Sequence, residues 1–173
     1  DDENDLHRIV SSAINQFDVI IISGGVSVGD YDFVPVILEK LGVHILLHGL
    51  AAKPGKHLLF GKKDNHYIFG MTGNPVSSFV QFELLTKPLL NKLAGKDTRA
   101  DNTKMPLEHN FSRKKSATLD FVPVHITDQN TVFPVDYHGS AHIHSYTKAD
   151  AIMEIPIGVS EIEKGELVNV RRI

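Results

Sequence analysis

The sequence predicts an α/β protein whose second part is all-β, a small barrel or sandwich. Three observations carry this. The first half alternates segments of helical and strand period. One of its strands, Asp18-Val19-Ile20-Ile21-Ile22, runs directly into a loop rich in glycine and serine, Ser23 to Asp32. After residue 96 the chain instead shows short apolar or alternating runs separated by turn residues, the pattern of a small barrel or sandwich. The polar stretch 96–104 marks the change and divides the chain into domains of residues 1–98 and 99–173.

Taken in order, Asp1 to Asp5 form an acidic cap, and Leu6, Ile9, Val10, Ala13 and Ile14 recur at helical spacing. The β-branched run 18–22 lacks alternation, so it reads as a parallel strand buried on both faces. A helix that feeds such a central strand has no preceding strand of a βαβ unit. The chain is therefore expected to be a piece of a longer protein. Val34 to Leu41 reads as a helix with Pro35 in its first turn and Gly42 closing it. Strands are expected at 43–50, 57–60 and 66–70, the last two joined by a turn at 62–65. Thr72-Gly73-Asn74-Pro75-Val76-Ser77 opens the longest helix, which stops at Gly95. In the second half, strands are expected at 117–122, 124–126, 131–135, 151–155 and 166–170.

Composition narrows the function. The chain has 173 residues, 42% hydrophobic and 23% charged, with a net charge of −3. That balance gives no general attraction to nucleic acid or to membrane surfaces. There is no cysteine, which rules out disulfides and thiolate metal sites. No apolar run reaches the length of a membrane span. A cytoplasmic protein is expected.

Three turns have the chemistry to meet an anion. In the first, glycines at the carboxyl end of the 18–22 strand let the backbone turn sharply and approach a ligand, at the end of the strands where open α/β sheets bind. Ser23, Gly24, Gly25, Ser27 and Gly29 would offer amides and hydroxyls. Asp30 and Asp32 could hold Mg²⁺ through oxygen, or could simply cap the next helix. The glycine spacing fits neither a Walker loop nor a dinucleotide fingerprint. In the second turn, Lys53-Pro54-Gly55-Lys56 sets two cations around a rigid turn, where both ammonium groups could face one anion; an ordinary solvated basic turn would look the same. In the third, Asn74 is a candidate N-cap with Pro75 at the first helical position and Ser77 in the first turn, where free amides favour anions. An ordinary capped helix would also have these features. Together, the three suggest a polyanionic ligand. His138, His142 and His144 lie close together but offer no clear third and fourth metal ligands, so they read as a polar turn.

These three turns in this order resemble the signature of the molybdopterin molybdenumtransferases, the MoeA-like family related to the C-terminal part of gephyrin. Leu119-Asp120-Phe121 and Gly139-Ser140-Ala141-His142 resemble positions in that family's C-terminal β-domain. The resemblance covers essentially the whole chain. It implies an incomplete three-layer α/β/α molybdopterin-binding domain followed by a C-terminal β-barrel. It also implies a transferase that inserts molybdate into adenylylated molybdopterin, with Mg²⁺ and release of AMP. Lys53 and Lys56, with the amides of the glycine turns, would hold the anionic groups. Asp32 and Asp1 match acidic active-site positions, and Ser140 matches a serine from the C-terminal domain. Lys53, Asp32 and Asp1 would then be catalytic, and Asp30 and Asp32 would bind the metal. The full-length parent would be a homodimer. The family's two further N-terminal domains and the initial strand of this domain are not in the sequence, and two positions also depart: Gly49 stands where many relatives carry lysine, and Pro123 where many carry arginine. A non-catalytic molybdopterin-binding scaffold and a molybdopterin adenylyltransferase are the rival expectations.

Overall fold

The computed structural model describes residues 3–26, 33–96, 102–136 and 143–173. Two compact units emerge: Asp1–Leu50 with Gly55–Gln81, and Ala51–Pro54 with Phe82–Ile173. The architecture is mixed α/β, as expected. The first unit carries a four-stranded mixed sheet with helices, and the second is mainly antiparallel β.

In the first unit, α1 (Glu3–Ile14), β1 (Val19–Ser23), α2 (Val34–Lys40) and β2 (His44–His48) are followed by β4 (Leu58–Lys63), β5 (His66–Met71) and α3 (Pro75–Gln81). The intervening β3 (Ala52–Lys53) belongs to the second unit. The sheet order is β1-β5-β4-β2, with β1 parallel to β5 and the other pairs antiparallel. The turn between β4 and β5 has Asp64 at φ 51°.

Alternation along the strands sorts the two faces. Ile20, Leu59 and Ile68 pack with Val10 and Ile14 of α1 and with Val34, Ile37 and Leu38 of α2. On the other face Phe60 and Phe69 are in ring contact at 4.8 Å, and Phe60 stacks on Tyr67. Here the β1 expectation is corrected. Ile21 is 45% exposed, so β1 is buried on one face and open on the other. It is an edge strand with β5 as its one neighbour among the described residues. A continuous apolar run cannot distinguish an edge strand from a central one. Ile9, counted with the apolar stripe of α1, is also exposed, at 56%.

The segment read as one long helix consists of α3, a π-helical turn at Phe82–Thr86 and α4 (Lys87–Leu93). Pro88 supplies the reason. It has no N–H to donate to the carbonyl four residues back, which breaks the i→i−4 ladder at that point.

The second unit contains β3, β6 (Asn102–Pro106), β7 (Phe111–Ser112), β8 (Leu119–Ile126), β9 (Val132–Pro134), a 3₁₀ turn at Ile143–Lys148, β10 (Ala151–Ile155), β11 (Glu161–Ile162) and β12 (Leu167–Arg172). Its sheet runs β3-β8-β10-β12-β6, with β9 also on β8. Leu107, just beyond β6, bridges to Val132 of β9, and the Glu108 N–H donates to the Val132 carbonyl at 2.8 Å. The path β8-β10-β12-β6-β9 thus returns to β8 through one bridge, which gives the unit a barrel-like closure. Met105, Leu107, Val124, Val132, Met153, Ile155 and Val170 fill its core.

Two runs predicted as separate, 117–122 and 124–126, form the single strand β8. Pro123 lies between the two runs. It falls where one edge of β8 passes from β3, paired at residues 119–120, to β9, paired at 124–126. A missing N–H is tolerated at such a gap, and the Pro123 carbonyl still accepts from the Val135 N–H. The polar stretch before residue 105 conceals β6, whose residues 102–104 are exposed.

Candidate functional site

Strand register brings the ligand-friendly turns of the first unit to one sheet edge. Parallel β1 and β5 end together, with Ser23 opposite Met71. Antiparallel β4 begins at that edge, with Leu58 opposite Met71, and β2 ends there, with His48 opposite Leu59. The turns at 24–26 and 72–74, and the segments 49–50 and 55–57, therefore leave from the same side of the sheet. Hydrogen bonds tie them down. The Gly24 N–H donates to the Met71 carbonyl at 2.8 Å, the Gly49 N–H to Leu58 at 2.7 Å and the Leu50 N–H to Lys56 at 2.8 Å. The His48 ring nitrogen Nε2 lies 3.3 Å from the Val26 carbonyl.

Each turn has a local cause. Gly24 and Gly25 sit at φ 92° and 66°, values that side chains with a Cβ rarely adopt. They swing the chain off β1 and leave Ser23 and Gly25 exposed. At the third turn Asn74 is the cap read from the sequence. Its Oδ1 accepts from the Ser77 N–H at 3.2 Å, and Pro75 opens α3. The same bond uses the Ser77 amide internally, and Ser77 is buried. Gly73 is exposed, has no positive φ, and a Cβ built there would meet nothing within 4 Å.

The second turn is held at both ends. The Lys53–Pro54 peptide is cis, and Gly55 has φ 113°. On one side, Lys53 and Pro54 belong to the second unit. There β3 runs parallel to the start of β8, with Ala52 opposite Leu119 and Lys53 opposite Asp120. On the other side, Gly55 and Lys56 belong to the first unit. There Gln81 Nε2 donates to the Gly55 carbonyl at 3.0 Å and to the His57 carbonyl at 2.8 Å. Lys53 and Lys56 are exposed, while Pro54 and Gly55 are buried. The cations can thus meet solvent or ligand while the backbone between them is fixed.

Sequence reasoning missed Gln81 and Arg113. Gln81 is 2% exposed, and its Oε1 has no hydrogen-bond partner among the described residues. Its signal was available as one uncharged polar residue inside the apolar run Phe79-Val80-Gln81-Phe82. Arg113 was overlooked in the basic segment Arg113-Lys114-Lys115. Its side chain is 7% exposed and pairs with Asp120 at 3.0 Å.

Several predicted site residues lie outside the described residues: Asp1, Ser27, Gly29, Asp30, Asp32 and Ser140, together with His138 and His142. The described residues contain no group of three or more acidic or histidine side chains able to hold a metal ion. No described helix is long and apolar enough to cross a membrane.

Residues 1–92 match a family described as a probable molybdopterin binding domain. The chain belongs to that family. Residues 107–172 match the MoeA C-terminal region, domain IV. Molybdopterin molybdenumtransferases of Staphylococcus epidermidis and Bacillus subtilis are 32% and 33% identical to it, over 94% and 93% of this chain and 40% and 38% of their own length. Among solved structures, the molybdopterin biosynthesis MoeA protein of Pyrococcus horikosii superposes with a TM-score of 0.76 at 31% identity, covering 99% of this chain and 41% of that one. A molybdenum cofactor biosynthesis protein of Pyrococcus furiosus gives 0.75 at 25% identity, covering 99% of this chain and 55% of its own. The chain therefore spans about 40% of the length of the curated relatives it matches. Membership of the MoeA-like family, inferred first from the three turns, accords with every one of these likenesses.

Proposed function

We propose that this chain forms part of a molybdopterin molybdenumtransferase. The whole protein inserts molybdate into the dithiolene of adenylylated molybdopterin and releases AMP. The observation that carries this reading is the shared sheet edge of the turns at 24–26, 55–57 and 72–74 in a molybdopterin-binding domain. Turn amides gathered at one edge, with the Lys56 cation beside them, suit a ligand that carries phosphates and receives an oxyanion. Ser23, Gly24, Gly25, Gly55, Gly73, Asn74 and Pro75 shape that edge, with Ser27, Gly29, Ser77 and Ser140 as further contacts. Lys53 and Lys56 supply positive charge where negative charge accumulates, and such preorganised charge is the main source of rate in this chemistry.

Asp32 and Asp1 are assigned with Lys53 to the catalytic group. Mg²⁺ is assigned to Asp30 and Asp32, whose oxygen donors suit a hard cation; bound there, it would neutralise phosphate charge. The sequence domains are drawn at 1–98 and 99–173, a boundary between the two matched family regions. The full-length parent is assigned as a cytoplasmic homodimer.

The test is molybdate-dependent AMP release from adenylylated molybdopterin by the full-length parent in Mg²⁺. Release that requires Lys53 is the expected result. A parent that binds molybdopterin but releases no AMP would instead favour a scaffold role.

A further inference from the structure

Lys53 has an acidic neighbour that does not pair with it. In the parallel ladder of β3 and β8, Lys53 stands opposite Asp120. Neighbouring strands lie about 4.8 Å apart, and laterally paired residues project to the same face. A lysine and an aspartate so placed are within reach of an ion pair. Yet among the described residues no carboxylate lies within 4.0 Å of the Lys53 ammonium, whereas Asp120 Oδ1 lies 3.0 Å from Arg113 Nη1.

The Oδ1 oxygen of Asp120 is committed elsewhere. It also accepts from the Thr118 hydroxyl at 2.6 Å. Arg113 is fixed in turn by three backbone carbonyls: its Nε donates to Val159 at 2.7 Å, Nη2 to Pro156 at 2.6 Å and Nη1 to Thr118 at 2.9 Å. The side chains of Arg113 and Asp120 are 7% and 15% exposed, while Lys53 is exposed. A planar guanidinium held on several acceptors competes for a carboxylate far better than a mobile ammonium does.

We propose that Arg113 is a positioning residue for Lys53: by engaging Asp120, it leaves the neighbouring ammonium unneutralised and available to an anionic ligand. That the anion is molybdopterin rests on the function proposed above. The arrangement of charges does not.

The experiment follows the Lys53 side chain of the 173-residue chain by NMR titration, its resonance assigned with Lys53→Arg. Molybdopterin binding is measured in parallel by fluorescence. Arg113→Gln frees Asp120 to pair with Lys53. The Lys53 titration then moves to higher pH, and molybdopterin affinity falls about threefold, the scale of an exposed ion pair. Adding Asp120→Asn to Arg113→Gln returns both values towards wild type, which a purely structural role for Arg113 would not do. A folded Arg113→Gln variant with an unchanged Lys53 titration overturns the proposal. If Arg113→Gln does not fold, Arg113→Met serves: it keeps the length of the side chain and removes the guanidinium that engages Asp120. The expected result is again a Lys53 titration at higher pH, and an unchanged one overturns the proposal. Lys53 shifts as stated with no molybdopterin binding by the wild type would leave the positioning role standing and reject the molybdopterin reading.

Discussion

The two compact units fix their halves of the Lys53-Pro54-Gly55-Lys56 segment by different means. In the first unit an uncharged amide, Gln81, holds the Gly55 and His57 carbonyls. In the second, a buried cation, Arg113, holds the carboxylate beside Lys53. A neutral clamp costs little to bury but leaves one oxygen of Gln81 without a partner among the described residues. A charged clamp needs acceptors around it, and Arg113 has three carbonyls and the Asp120 carboxylate. The difference separates two tasks, shaping backbone and controlling charge.

The largest effect is expected from breaking the charged clamp. Arg113→Ala leaves the largely covered Asp120 carboxylate without its cation and leaves three carbonyls without their donor. Losing one partner of a buried ion pair costs roughly 3–5 kcal/mol, and this pair, part of a wider network, is expected to follow. Urea unfolding is expected to show a much lower midpoint for the second unit. A loss below about 1 kcal/mol would mean that water replaces the guanidinium easily and that the clamp is not a structural device.

The neutral clamp is expected to cost less. Gln81→Leu conserves bulk but leaves the Gly55 and His57 carbonyls without their donor, at about 1–3 kcal/mol. It also removes the unpartnered Oε1, which offsets part of that loss. Hydrogen exchange distinguishes a local effect from a global one: the amides of residues 55–60 should exchange faster while those of β1 remain protected. Uniform loss of protection would show that Gln81 supports the whole unit rather than one turn.

The sequence made much of the first unit legible, because its signals are local. Asn74 before Pro75 marks a helix start through cap chemistry, and Gly42 and Gly24 mark turns through positive φ. The edge position of β1 was hidden, since Ile20, Ile21 and Ile22 are equally apolar and no local property distinguishes a strand's covered face from its open one. The second unit was harder to read. β6 is held by pairing with β12, a partner more than sixty residues away, and its exposed polar residues carry no apolar alternation. Pro123 suggested a break inside β8 because its effect depends on which strands flank it. Gln81 holds carbonyls 24 and 26 residues distant, and two of the three carbonyls that hold Arg113 are 43 and 46 residues away, so their type was visible but these partners were not.

A smaller and more selective effect is expected at the sheet edge. Gly73 needs neither a positive φ nor close packing to explain it. Gly73→Ala should leave stability within about 0.5 kcal/mol. If bound molybdopterin approaches the 72–74 turn closely, the added methyl weakens molybdopterin binding while the unfolding midpoint stays in place. Gly55→Ala is the contrasting control. At φ 113°, with Gln81 Cγ 3.2 Å from the built Cβ, it should lower stability as well, by about 1–3 kcal/mol. Equal effects of the two substitutions on binding and on stability would remove the reason to single out Gly73.

The smallest effect concerns the exposed counterpart of the Arg113–Asp120 pair. Asp150 Oδ2 accepts from the Ile126 N–H at 2.9 Å and lies 3.4 Å from His125 Nδ1. The backbone bond from Ile126, more than the histidine, holds its carboxyl below the ordinary carboxylate value. A depressed carboxyl stabilises the fold fully above its unfolded pKa, about pH 4, and the contribution is lost as pH falls through the lower folded value. Asp150→Ala should therefore be less stable than wild type at pH 6. The gap should narrow below about pH 4 as the wild-type carboxyl gains its proton. Because Asp150 is about half exposed, water screens the interaction and the difference is small. Arg113→Ala should keep most of its deficit over the same range, since three of the acceptors left without a donor are carbonyls, which do not titrate. Parallel pH profiles for the two variants would mean that the buried pair acts by charge alone, and the contrast between an exposed and a buried carboxylate in this unit would fail.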